Sequence, residues 1–207
     1  MRTWAIVLWL TVLAATPEQA ALLERLRTGS AAERREAAAR LGEIGDAAAT
    51  DDLARALRDT DTAVREAASA ALWEVWLRSG DAEVDALLQR GIALVGVDRL
   101  SEAVTLFSEV IARAPGFAEG WNKRATVYYL LGEYDRSLAD CEEVIRRNPI
   151  HFGALSGFGL NYLQKGDLER AAQYFERALA VNPNLVQLKA VLEQIYETLA
   201  QRRREAI

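Results

Sequence analysis

One cysteine, one histidine and four prolines in 207 residues remove several classes of protein before any pattern is sought. Cys141 alone cannot close an internal disulfide. Any Ser-His-Asp or Cys-His arrangement would have to use His151. There is no nucleophile elbow, no phosphate loop and no clustered Cys and His at metal-ligand spacing. The chain therefore reads as non-enzymatic, with no cofactor and no metal.

Charge of one sign is also scarce in runs. Acidic residues outnumber basic ones 30 to 25, for a formal net charge of −5. The longest basic run, Arg202-Arg203-Arg204, suits the end of a helix, where cations complement the dipole. A general nucleic-acid binder needs a basic face, so no nucleic-acid partner is expected. The hydrophobic share of 51% excludes disorder, and much of it is alanine. With so little proline, that composition favours tightly packed helices over sheet.

The apolar run Trp4 to Leu13 follows Met1-Arg2 and leads to Ala14-Ala15. It falls short of the roughly 20 residues that a membrane-spanning helix needs. Residues 1–15 are expected to be a secretory signal peptide, with the exported chain in the bacterial periplasm. Contact with a membrane would come only through this leader, if it stays uncleaved. No cysteine follows it to carry a lipid.

What is abundant is repetition. Pro115, Pro149 and Pro183 stand 34 residues apart, and reading back from each gives units 84–117, 118–151 and 152–185. The fourth residue of each unit is large (Leu87, Trp121, Leu155), and the eighth is small (Gly91, Ala125, Gly159). The eleventh is Leu94, Tyr128 or Tyr162, and the twentieth is Ala103, Ser137 or Ala171. The twenty-fourth is Phe107, Cys141 or Phe175. These offsets fall on two helices with a turn near Gly132 and Gly166, so each unit is a helix hairpin. The small residues at 8 and 20 let two backbones approach, and the large ones fill the space beside them. At the twenty-fourth place Cys141 is expected to be a small buried hydrophobe.

The pattern resembles the tetratricopeptide repeat, whose signature is large at 4, Gly or Ala at 8, Tyr at 11, Ala at 20, Phe at 24, Ala at 27 and Pro at 32. The units containing WNKRATVYYLLGEYDRSLADCEEVIRRNP and GLNYLQKGDLERAAQYFERALAVNP match well. The first unit departs with Asp98 where the others carry Gly, and Val110 and Val144 replace the small residue at 27. Leu185, Leu188, Leu192, Ile195 and Leu199 then form the apolar stripe of a closing helix over 185–204.

Residues 21–80 carry a second period. A shift of 31 lays Leu22 on Leu53, Leu26 on Leu57, Arg27 on Arg58, Arg34 on Arg65, Ala37 on Ala68 and Leu41 on Leu72. Asp61, Val64 and Arg65 resemble the turn and second-helix start of a HEAT-type repeat. That resemblance implies a structural role for Arg65, and for Arg34, in tying neighbouring turns. Two copies alone cannot bury their faces. The second is expected to stack, through Trp73 and Trp76, on the first helix of the 34-residue array; an exposed aromatic pair is the alternative. The fold expected is an all-α, right-handed solenoid of two HEAT-like hairpins, three tetratricopeptide-type hairpins and one capping helix.

The resemblance further implies a concave groove lined by the first helix of each unit, where a partner protein or peptide segment lies. Its positions fall on Leu88, Ile92 and Val95, then Glu119, Asn122, Thr126 and Tyr129, then Ser156, Leu160, Leu163 and Gln164. Gly159 serves helix packing. Gly153 and Gly157 face the groove, for packing or to admit another backbone. The family's clamp for chaperone C-terminal carboxylates is missing, since Leu88, Ile92, Lys123, Gly153 and Gly157 stand at its places. His151, between hairpins, is expected at the surface or packed into its turn. The function expected is an adaptor or scaffold of the bacterial envelope. An enzyme or accessory subunit with a site at the junction, using Arg34 or Arg65, is the alternative.

Overall fold

A computed structural model describes residues 16–205, and the leader lies outside the described residues. Within them the chain is all-α, with eleven helices and one short 3-10 turn. The first four, α1 (Pro17–Thr28), α2 (Ala31–Ile44), α3 (Thr50–Ala56) and α4 (Thr62–Trp76), form the HEAT-like pair. Then come three hairpins: α5 (Ala82–Gly96) with α6 (Leu100–Arg113), α7 (Ala118–Leu130) with α8 (Tyr134–Arg147), and α9 (Phe152–Gln164) with α10 (Leu168–Val181). Helix α11 (Val186–Glu205) closes the array.

Local chemistry fixes these boundaries. Thr16 and Ser30 each form a reciprocal capping box, with Gln19 and Glu33, while Asp61 caps the backbone of Ala63 and Val64. In the array each first helix ends on a left-handed residue, Asp98 (φ 59°), Gly132 (φ 75°) or Gly166 (φ 77°). The following N–H returns to the carbonyl five residues back: Arg99 to Leu94 at 2.9 Å, Glu133 to Tyr128 at 2.8 Å, Asp167 to Tyr162 at 2.9 Å. Asp98 thus adopts the turn its two glycine counterparts adopt, a conformation that Asp tolerates better than most residues. The departure from the family pattern leaves the hairpin intact.

Within hairpins, glycine meets phenylalanine. A Cβ on Gly91 would overlap the Phe107 ring, and one on Gly159 would overlap the Phe175 ring. The middle hairpin uses Ala125 opposite Cys141, both buried. Burial pushes the Cys141 thiol up to about 12, so it stays protonated and inert. The closing helix buries Leu192, Ile195 and Leu199 against Leu168, Ala171 and Phe175. Leu185, expected in that stripe, instead packs on the core of the HEAT-like pair.

That contact belongs to a larger correction. Trp73 and Trp76 pack on His151 and Phe152 rather than on the first helix of the array, whose cluster receives Leu77 from the end of α4. Helix α4 folds back onto the third unit, where Phe152 joins its core and Ile150, Val181 and Leu185 pack around it. The reason is visible in the arginines. In the first copy Arg27 grips Asp52 at 2.7 and 2.6 Å, and Arg34 grips Asp59 at 2.6 and 2.7 Å. Their equivalents in the second copy find acceptors at the C-terminal end of α10 and in the turn that follows it. Arg58 donates to the carbonyls of Ala180 and Val181, and Arg65 donates Nε to Asn184 Oδ1 at 2.9 Å. The end of the array takes the place of a third HEAT repeat.

Candidate functional site in the concave groove

The groove lies along α7 and α9. Helix α9 is anchored by His151, whose Nδ1 accepts from the Ala154 N–H at 3.0 Å. That bond fixes the tautomer, so Nε2 carries the proton and donates to Glu119 Oε2 at 3.0 Å. Both side chains are fully buried. Glu119 also receives Asn122 Nδ2 at 3.0 Å and Lys123 Nζ at 2.9 Å. Burial pushes the Glu119 carboxyl upward, but the hydrogen bond from His151 and the charge and hydrogen bond of Lys123 outweigh it and hold the group below its ordinary range. His151 is therefore the turn-packing residue, not the surface one, and its ring stacks on Trp76 with centroids 4.3 Å apart.

The expected groove residues divide into two sets. Leu88 is 0% exposed, packed with Val84, Phe107 and Val127, and Ile92 and Val95 are half-buried around that cluster. Glu119 is buried against His151, Asn122 is buried beside it at the lining of the pit described below, and Leu163 packs toward the closing helix. Thr126 and Gln164 are exposed, Tyr129 and Ser156 are half-buried, and Leu160 is 37% exposed. Gln164 Nε2 donates to Tyr129 Oη at 3.2 Å, bridging α9 and α7.

Between those last residues lies a pit of about 120 Å³, with Thr126, Tyr129 and Leu160 at its wall and Cys141, Gly153 and Gly157 among its lining. It opens where the middle unit carries Cys141 in place of Phe107 and Phe175, and where two glycines of α9 add nothing. Asn161, also in the lining, gives Nδ2 to Ser137 Oγ at 2.9 Å and to Gly157 O at 2.8 Å. Sequence reasoning missed Cys141 and Asn161 as groove elements. The signal was present, since Cys141 is the one short side chain among three equivalent places.

A larger cleft of about 780 Å³ separates the HEAT-like pair from the turns at 114–118 and 147–150. Neither Arg34 nor Arg65 lines it. Arg34 is taken by Asp59 and the Gly29 carbonyl, and Arg65 by the oxygens of Asp59, Thr60, Thr62 and Asn184. The junction site built on these arginines is therefore not assembled.

Comparison with known families agrees with this architecture. The HEAT repeats model matches residues 20–104, and tetratricopeptide repeat models match 118–151 and 153–185. The chain carries HEAT repeats followed by tetratricopeptide repeats. The HEAT match runs through α5 into α6, so the two repeat types meet within the first hairpin of the array. A TPR repeat-containing protein of Rhizobium etli is 35% identical over 108 residues, 52% of this chain and 53% of that protein. The chain thus spans about half the length of this curated relative. Among solved structures, the Sgt2 TPR domain from Aspergillus fumigatus superposes with TM-score 0.58 at 23% identity, covering 61% of this chain and 85% of that one. The first TPR of Spaghetti bound to the HSP90 peptide SRMEEVD gives 0.56 at 23% identity, covering 58% and 96%. At that identity they show the fold of the tetratricopeptide array alone.

Proposed function

We propose that this protein is a non-enzymatic adaptor of the bacterial envelope that holds a segment of another protein in the concave groove of its tetratricopeptide repeats. The observation that carries the reading is the pit between α7 and α9. It is a small concavity framed by Tyr129, Thr126 and Leu160, with Ala125, Cys141 and two glycines in its lining beside Asn122, Ser137 and Asn161, and sized for one aliphatic side chain. A partner bearing such an anchor on an extended or helical segment fits it. The Spaghetti domain binds a chaperone tail, but this chain lacks the cationic clamp for a terminal carboxylate. Leu88 and Ile92 stand where that clamp needs Lys and Asn, and Gly153 and Gly157 where it needs Lys and Arg. The partner segment is therefore internal and apolar rather than a charged C-terminus.

The test places a photo-crosslinking amino acid at Thr126 and maps the segment captured in cells. Capture of one defined segment, lost on Tyr129→Ala with Leu160→Glu, is the expected outcome. Capture unchanged by that double substitution would overturn the reading. Export is checked separately by sequencing the mature N-terminus, expected near Thr16; a chain retaining Met1 in the soluble cytoplasmic fraction would remove the envelope from the proposal.

A further inference from the structure

Gly153 lines the pit, and the space its absent side chain leaves is filled from the far side by the protein itself. A Cβ there would overlap Trp73 Cη2. Lys123 Nζ sits 5.8 Å from the centroid of the same ring, and His151 and Phe152 meet it edge-on at 5.5 and 5.2 Å. One indole thus rests on a glycine floor, beside a cation and between aromatic edges. The ring is half-buried, so water reaches part of it, and the glycine beneath it is one that also lines the pit.

Trp73 belongs to α4, and α4 is a guest on the array. Beyond the aromatic contacts and the apolar packing of Ile150, Val181 and Leu185, its copy is held by polar bonds to the end of α10 and the turn after it: Arg58 and Arg65 to 180–184, Asn182 Nδ2 to Ser69 Oγ at 3.1 Å, and Asn184 Nδ2 to Leu57 O at 2.8 Å. Each of these bonds is exposed or partly so, and such bonds exchange with water at small net cost. We propose that the lower half of the groove is a seat for an aromatic side chain, closed in cis by Trp73 of the HEAT-like pair. A partner that runs the whole groove then carries an aromatic residue that takes over the place of Trp73, in addition to the aliphatic anchor that enters the pit. The chain's own ring identifies the chemistry the seat accepts. The inference rests on the groove being the binding face.

The probe is the capped tripeptide Ala-Trp-Ala carrying 5-fluorotryptophan, followed by fluorine NMR against the full chain. Because its ring is attached to a backbone, it enters only from the groove and not a sealed core cavity. Trp73→Ala should bind it saturably and at least about tenfold more tightly than the wild type. Adding Gly153→Ala should abolish that gain, because the new Cβ stands in the seat. Binding equal in all three proteins would overturn the proposal, as would a folded Trp73→Ala protein that takes up free 5-fluoroindole but not the tripeptide, or neither. Should Trp73→Ala not fold, Trp73→Leu with a 4-fluorophenylalanine tripeptide carries the same outcomes. The assay uses no cellular partner. Its failure leaves the pit reading standing, and failure of crosslinking at Thr126 leaves the seat.

Discussion

In the HEAT-like pair one hairpin holds the next with guanidinium–carboxylate pairs, Arg27 on Asp52 and Arg34 on Asp59, and three of its four α-helices start on side-chain caps. In the tetratricopeptide array the outer joints are apolar, and the middle hairpin adds such a pair, Arg124 on Asp140 at 2.8 Å. Gly91 takes Phe107 and Gly159 takes Phe175, while α6, α7 and α8 begin with no side-chain cap at all. The two regions differ in what their joints demand of a neighbour. A guanidinium needs only oxygens, and any turn that presents them will serve. That is how Arg58 and Arg65 dock the pair on a segment that is not a HEAT repeat. A phenylalanine ring needs one glycine at one place, so each outer hairpin can close only in register.

Removing a ring from the array should have the largest effect. Phe175 is fully buried between α9 and α10 and touches the cluster of the closing helix. Phe175→Ala leaves a cavity and should cost about 3–5 kcal/mol in urea unfolding. A loss below that of Arg34→Ala would break the contrast between the two kinds of joint.

The middle hairpin sharpens it. Ala125 opposite Cys141 is the same joint with the bulk redistributed. Cys141→Phe should overpack against Ala125 and cost about 1–3 kcal/mol. Ala125→Gly in the same chain recreates the Gly–Phe joint of the outer units and should restore the midpoint. It should also close the pit and abolish capture at Thr126. A double variant no more stable than the single one would show that the units are not interchangeable.

Much of this was legible in the sequence, for physical reasons. Spacing of small, large and proline residues reports contacts between residues close in the chain, and helix hairpins are made of such contacts. The docking of α4 was not legible, because carbonyls at 180 and 181 are offered by every residue type and leave no signature. Two residues did carry a trace. Gly153 stands where the other units carry Asp85 and Glu119, a missing side chain with no local reason. His151 stands where they carry Phe117 and Leu185, a polar residue at an apolar place. One makes room for Trp73 and the other stacks on Trp76. The groove was readable as a set of positions. Leu88 and Glu119 are nevertheless buried, one in the core of the first hairpin and the other against His151 and Lys123.

Glu119 couples the two regions, since it holds His151 under the tryptophans. Glu119→Gln keeps the shape but weakens charge-assisted bonds to His151 and Lys123, with an expected loss of about 1–3 kcal/mol at pH 7. The sign with pH follows from the lowered carboxyl. The stabilisation is fully present above the unfolded value, about 4.3, and is lost as pH falls through the folded one. Other paired carboxylates titrate in the same range, so the readout is the gap between wild type and Glu119→Gln. It should be widest near neutrality and narrow below about pH 4. A gap that widens on acidification would mean that Glu119 is protonated in the folded chain.

The smallest effect is expected where the joint is charged. Arg34→Ala removes the bidentate pair with Asp59 and the bond to Gly29 O. Asp59, 11% exposed, keeps its bonds to the Asp61 backbone and the Thr60 hydroxyl, so it is left partly satisfied rather than stranded. The drop in melting temperature should therefore be less than that of Phe175→Ala and should shrink as salt rises toward 1 M, where surface charges are screened. Phe175→Ala should show no such narrowing, because a cavity does not respond to ionic strength in that way. If Arg34→Ala instead lowered the melting temperature equally at low and high salt, its side chain would be acting through the packing of its stem against the turn. The arginine joints would then be as specific to their neighbours as the rings are, and oxygens alone would no longer explain how the pair found the end of the array.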